Sequence, residues 1–259
     1  MSTVFVTLCD KSYFSKACRT IDELKTNGQW KGDIVLLAID FYPSPLDGVL
    51  IWNVGHIDTA TLVNQLHEHP IQPMDDNRHF GKLYQWDKLR IFSDHFKKWE
   101  RVVFLDAGIR VFDSVQPLLD LDWHGKFLAP DDSDPYDNGN RFSSQLDLEA
   151  NFKATQRLFQ EYPETILNQH YFLNCIFMFD TSIIDENMLP SMIEDMNKFP
   201  ICMCNEMGIM NLWMTFRLRV WQPFPQKVNH KYLFGWCERN YQEGPDCSSF
   251  HFLKYSVTG

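Results

Sequence analysis

The apolar residues of this chain come in short continuous runs separated by stretches of helical period. Residues 3–8 (TVFVTL), Asp33–Ile39 (DIVLLAI) and residues 49–54 (VLIWNV) lack polar alternation, which is the pattern of strands buried on both faces. After the first run, Phe14, Ala17, Ile21 and Leu24 recur every three or four residues and predict a helix. TATLVNQL predicts another, and residues 81–99 (GKLYQWDKLRIFSDHFKKW) predict a long amphipathic helix that runs directly into the strand RVVFL. Strands alternating with helices predict an α/β, Rossmann-like domain with a mainly parallel central sheet flanked by helices. Ligands of such sheets sit beyond the carboxyl ends of the strands. Cys9, Asp40 and Asp106 stand at those ends.

The second half is less regular. APDDSDPYDNGNR reads as a loop by its turn residues, NFKATQRLFQEY as a helix, and YFLNCIFMF as a strand with Asn174 inside it. NMLPSMIEDMNKF and NEMGIMNLWMTF predict two more helices. RVWQPF, a Gly/Trp loop containing KYLFGW, and a last apolar segment, SSFHFLKY, complete the pattern. No internal repeat appears and no Gly/Ser/Pro-rich linker divides the 259 residues, so one domain, 1–259, is expected.

Composition narrows the function classes. At 44% hydrophobic and 15% aromatic, the chain can bury a sizeable core. A formal charge of -10 argues against nucleic-acid or anionic-membrane partners, yet a few local lysines and one divalent ion can still make a phosphate site. No apolar run approaches the ~20 residues of a membrane span, and the N-terminus reads as a strand rather than a leader. The seven cysteines are irregularly spaced without a CxxC pair, which suits reduced thiols and a cytoplasmic protein. There is no GxxxxGK[ST] loop and no GxSxG elbow, and HEH at residues 67–69 lacks metalloprotease spacing. DDSDPYDNG resembles a calcium loop in composition only, because its alternate ligands break at Tyr136.

Five segments, in order, resemble the nucleotide-sugar glycosyltransferases of the GT-A fold, most of all the glycogenin and lipopolysaccharide galactosyltransferase group (glycosyltransferase family 8). FVTLCDKSY, with Thr7, Leu8 and Tyr13, resembles the strand and turn that hold uracil and ribose. KLYQW resembles the helix whose lysine, here Lys82, approaches the donor. VVFLDAG resembles the strand ending in Asp-x-Asp, with Asp106 and then Gly108. NEMGIMNLWM resembles the helix that begins Asp-Gln-Gly, and HFLKY the terminal His-x-x-Gly segment that returns to the metal.

The resemblance implies transfer of a sugar from a nucleoside-diphosphate sugar, uridine-linked, to a hydroxyl on a glycan, lipid or protein. Residues 1–125 would bind the donor and 126–259 face the acceptor. A sugar–phosphate bond breaks with charge left on a diphosphate, and a cation must absorb it. Mn²⁺ or Mg²⁺ is implied, with Asp106 as oxygen ligand and His251 as nitrogen ligand, and Lys254 and Lys231 as point charges on the phosphates. Gly108 removes one expected ligand, so either water completes a weaker site or Arg110 supplies positive charge without a metal. Asn174 keeps only the amide of Asn-Ser-Gly, and Glu206 retains the carboxylate of Asp-Gln. These two are the candidate catalytic residues. The group retains anomeric configuration, whereas Glu206 used as a base would invert.

Each assignment has a plainer reading beside it. Asp106 could cap a turn, Lys82 could be a surface lysine, and Asn174 could be a structural buried amide. Glu206 could serve the first turn of its helix, and His251 could point out of its strand. Two rival functions share the fold: a non-catalytic nucleotide-sugar binder, and a sugar nucleotidyltransferase. Against the second, the first strand is not followed by a Gly-rich basic turn for a triphosphate.

Overall fold

In the computed structural model, residues 2–72, 78–132, 139–237 and 246–255 are described. Eleven strands are found among them: β1 (Thr3–Cys9), β2 (Asp33–Ile39), β3 (Leu50–Val54), β4 (Arg101–Leu105), β5 (Ile109–Val111), β6 (Phe127–Ala129), β7 (Ile176–Asp180), β8 (Trp221–Pro223), β9 (Lys227–Val228), β10 (Lys231–Cys237) and β11 (Phe250–Tyr255). Seven form one sheet in the order β3-β2-β1-β4-β7-β6-β8. Pairing is parallel from β3 to β4, β7 runs antiparallel to both its neighbours, and β6 pairs β8 in parallel. The mixed α/β architecture with a mainly parallel sheet is the one the sequence predicts, and strands from both halves of the chain share that sheet.

Side-chain alternation divides the core in two. Val4, Val6 and Leu8 of β1 pack in one large cluster with Trp86, Leu89, Phe92 and the Met-rich helices, while Phe5 joins Ile21 and Leu24 of the helix Phe14–Thr26 on the other face. A second sheet, β5-β11-β10-β9, packs on that other face through Ile109, Val111, Leu233 and Phe252. β5 is only three residues long, and it leaves the main sheet directly after Asp106.

Three local expectations are corrected. Residues 81–99 are not one amphipathic helix; after a short turn of helix they form two 3-10 helices, Leu83–Phe92 and Asp94–Lys98, with Ser93 extended between them. Six residues of the first, including Asp87 and Lys88, are buried, so it has no polar face of the expected kind. The strand expected over YFLNCIFMF begins only at Ile176, which leaves Asn174 outside the sheet. The stretch KYLFGW is strand β10 rather than a loop, and Gly235 is required there because a Cβ would lie 2.4 Å from the Phe250 ring. The calcium-like loop lies largely outside the described residues.

Candidate active site

Asp106 follows the last residue of β4. Its amide donates to the Cys175 carbonyl at 2.8 Å, and its own carbonyl accepts from Ile109 at 3.0 Å, closing a tight turn. Gly108 occupies that turn at φ +97, a conformation that costs a side chain strain. The turn is fastened to the helix Phe14–Thr26 by Thr20, whose hydroxyl accepts from the Gly108 amide at 3.0 Å and donates to the Ile109 carbonyl at 2.9 Å. The absent carboxylate at position 108 therefore coincides with a backbone geometry for which glycine is suited.

Because β7 is antiparallel to β4, its start lies at the edge where β4 ends. That topology carries Asn174 to Asp106. The third contributor is Lys88, reaching in from the 3-10 helix. Its ammonium lies 2.8 Å from Glu206 Oε1, 3.2 Å from Asp106 Oδ1 and 3.2 Å from the Asn174 carbonyl. A lysine has three N–H donors, and all three are matched here. Asn174 Nδ2 donates to the same Glu206 oxygen at 2.9 Å and to Met210 Sδ at 3.4 Å. Burial works against the Lys88 ammonium, but Asp106 and then Glu206 outweigh it and hold its pKa above the usual lysine range. Burial pushes the Glu206 carboxyl up, and Lys88 pulls it back only in part. The second oxygen of Glu206, Oε2, is buried without a hydrogen-bond partner.

Glu206 is aimed by a strained neighbour. Asn205 has φ +49 and is almost fully buried. Its side-chain amide donates to the carbonyls of Arg78 at 3.1 Å and Lys82 at 3.4 Å and to Gln85 Oε1 at 2.9 Å, while its Oδ1 pairs with His79. A strained conformation survives where its surroundings hold it this firmly, and such places cluster at functional sites. A π-helical segment, Leu212–Arg217, follows the short helix Glu206–Asn211.

On the other flank of Asp106, Lys254 Nζ lies 3.5 Å from Oδ2 and donates to the Ala107 carbonyl at 3.3 Å. Lys16 passes Gly108, its Cδ 3.6 Å from where a Cβ would stand, and its ammonium sits over the Tyr13 ring at 4.7 Å. Tyr13 and Tyr84 form a tilted aromatic pair with centroids 5.6 Å apart. Burial raises the Tyr84 hydroxyl pKa, helped by its hydrogen bond with Tyr13 and by the charges of Asp10 and Asp106. Thr7, near the end of β1, is buried with no hydrogen-bond partner for its hydroxyl, and Leu8 packs into the core.

Other sequence-predicted residues stand elsewhere. Lys82 precedes the 3-10 helix and meets Asn205 through its backbone carbonyl; Lys88, six residues on, is the lysine of that helix that reaches Asp106. Arg110 is bound to Glu23, with Nε and Nη2 each 2.6 Å from Oε1, so its charge is already matched. His251 and Lys254 are three residues apart on β11, which puts their side chains on opposite sides of the strand. Lys254 faces Asp106, whereas His251 lines a separate cavity of about 300 Å³ with Asp113 and Lys231. There Lys231 is 2.5 Å from Asp113, and neither ring nitrogen of His251 has a hydrogen-bond partner.

This arrangement does not fit the implied Mn²⁺ or Mg²⁺. Such an ion takes oxygen donors, but each oxygen of Asp106 faces an ammonium, Gly108 offers none, and His251 is turned away. Among the described residues, no group of three His, Cys, Asp or Glu side chains is placed to hold a metal.

No protein-family profile matches the sequence, and no curated protein matches it. Solved structures do. An active-site mutant of the galactosyltransferase LgtC superposes with a TM-score of 0.61 at 12% identity, over 98% of this chain and 87% of that one. The chain has the GT-A glycosyltransferase fold. LgtC in complex with donor and acceptor sugar analogs gives 0.56 at 12% identity, over 90% of this chain and 75% of that one. The bifunctional glycosyltransferase WbbM gives 0.59 at 13% identity, over 99% of this chain but 46% of WbbM. Core-mannan synthase A from Aspergillus fumigatus, in an Mn/GDP form, gives 0.52 at 9% identity, over 90% of this chain and 76% of the synthase.

Proposed function

We propose that the chain is a glycosyltransferase that moves a sugar from a uridine-diphosphate sugar to a hydroxyl acceptor. The observation that carries this reading is the convergence of Asp106, Asn174, Lys88 and Glu206 from four separate segments at the carboxyl edge of the sheet. Open α/β sheets bind their ligands at that edge. The likeness in fold to LgtC, solved with donor and acceptor sugar analogs, supports a transferase reading.

The aromatic pair Tyr13–Tyr84 and the unpartnered Thr7 hydroxyl suit a uracil and its ribose, with Asp106 beyond them towards the sugar. In the transfer, the bond from anomeric carbon to phosphate oxygen breaks and its electron pair leaves with the diphosphate. The acceptor oxygen bonds to the same carbon, and its proton passes to the departing phosphate oxygen. One ammonium touches both Asp106 and Glu206, which supports Glu206 on the diphosphate side of the sugar rather than across it. That placement favours retention of anomeric configuration. Glu206 Oε2, unpaired and buried, is the atom offered to a sugar hydroxyl.

Calorimetric titration with a panel of nucleoside-diphosphate sugars, followed by product analysis with simple glycoside acceptors, tests the reading. One uridine sugar should bind and release UDP on transfer, and Asp106→Ala should lose about 100-fold or more in turnover. Binding without release would make the chain a nucleotide-sugar-binding protein. Consumption of a nucleoside triphosphate with release of pyrophosphate would make it a nucleotidyltransferase.

A further inference from the structure

We infer that lysine side chains, Lys254 foremost, neutralise the donor diphosphate in place of a divalent metal ion. The inference rests on the donor-site reading above and deepens it.

The two lysines on Asp106 are unequal. Lys88 is 5% exposed and meets three acceptors, so it has no donor left for a ligand. It cancels charge inside the protein. Lys254 is 17% exposed, meets only two acceptors, and holds the nearer carboxylate at a long 3.5 Å. One N–H remains for a ligand.

Lys16 lies just across Gly108 from Lys254. Its ammonium is held below the usual lysine range, first by partial burial and then by the positive charges of Lys254 and Arg19, with Tyr13 pulling the other way. Lys16 Cδ and Lys254 Nζ stand 3.6 and 4.0 Å from the place a Gly108 Cβ would take, so the two side chains approach one rim, and an anion there would draw on both charges. A divalent cation brought to Asp106 would meet an ammonium at each carboxylate oxygen, Lys88 at Oδ1 and Lys254 at Oδ2.

Position 108 adds a geometric reason. The turn there is held at φ +97 by the Thr20 hydrogen bonds, and the place a Cβ would take is flanked by Lys16 Cδ at 3.6 Å and Lys254 Nζ at 4.0 Å. The strand that the resemblance returns to a metal does return to Asp106, but it presents Lys254 there and turns His251 to the other side.

The test is calorimetric titration of the intact protein with UDP, and with GDP as control, in Mn²⁺ and in EDTA. It is run on wild type, Lys254→Met and Lys254→Arg, with Mn²⁺ binding to the protein alone followed by electron paramagnetic resonance. UDP affinity should agree within about twofold between Mn²⁺ and EDTA. Lys254→Met should weaken it about 10- to 100-fold, the effect of removing a hydrogen bond to a charged group, and Lys254→Arg should restore most of it. The protein alone should leave the Mn²⁺ signal that of the free ion. UDP binding that requires Mn²⁺ would overturn the inference and leave the transferase reading standing. Failure of wild type to bind any nucleotide or nucleotide sugar under either condition would overturn both. If Lys254→Met does not fold, the wild-type comparison and the resonance experiment still decide.

Discussion

The two polar clusters fed by β11 are built on opposite terms. At the Asp106 end, Lys254 joins a network in which the buried ammonium of Lys88 has every donor matched and one carboxylate oxygen, Glu206 Oε2, is left open. At the His251 end, three residues along the same strand, an imidazole is buried with both nitrogens unmatched, and Asp113 is satisfied by Lys231 instead. Buried polar groups without partners carry the full cost of leaving water. The difference separates organised charge from incidental polarity. The first cluster draws on four segments and a strained residue that holds Glu206 in place, while the second comes from residues at the junction of the second sheet with the segment after β5.

The sharpest way to break the first cluster is Lys88→Met. It leaves Asp106 and Glu206 as close carboxylates with no cation between them, and removing one partner of a buried ion pair costs about 3–5 kcal/mol. Urea unfolding should show that loss, and the double variant with Glu206→Gln should recover part of it. A loss below about 1 kcal/mol would mean that the network is as dispensable as a surface pair. Gly108→Ala should cost less, about 1–3 kcal/mol, because a Cβ there meets only ordinary contacts and the strain lies in the backbone. Gly108→Asp should show similar strain and no gain in Mn²⁺ binding, since its carboxylate would arrive between Lys16 and Lys254.

What could be read from the sequence follows the same division. Asp106 is legible because an apolar strand ends on it, at the carboxyl end where such sheets bind their ligands. Asn174 and Glu206 came through resemblance, and the structure brings both to Asp106. Lys88 was missed because DKLR inside a helix-like stretch looks like a solvated face. The available signal was an Asp-Lys pair set among Trp86, Leu89, Ile91 and Phe92, all of which are buried. The motif points to Lys82, but the 3-10 winding carries Lys88 inward. The second sheet was hidden because Gly235 interrupts its longest strand by composition, although the glycine is there to admit the Phe250 ring. His251 was assigned by its place in a motif, and a period of two settles its side of the strand.

The second cluster should respond far more weakly. His251→Phe removes two unmatched nitrogens from a residue that is 3% exposed, so stability should stay within about 1 kcal/mol of wild type or rise. UDP affinity and its indifference to Mn²⁺ should not change. A large loss of nucleotide binding would show that the two clusters are coupled.

The smallest effect should be a change in acid sensitivity at Asp113. Its carboxyl is held below the ordinary value of 3.8, mainly by the hydrogen bond from Lys231, with burial opposing and the Ser114 amide helping. A carboxyl whose pKa is lowered by folding stabilises the fold fully above its unfolded pKa, and that contribution fades as pH falls through the folded value. Asp113 and Lys231 are each about a third exposed, so solvent screening keeps the pair within about 1 kcal/mol. Asp113→Asn should therefore lower the urea midpoint slightly at pH 7, and the difference from wild type should shrink below pH 3.8 as the wild-type carboxyl protonates. Equal midpoints at both pH values would mean that the Lys231 contact contributes nothing to stability, leaving the Ser114 amide as the carboxylate's remaining partner.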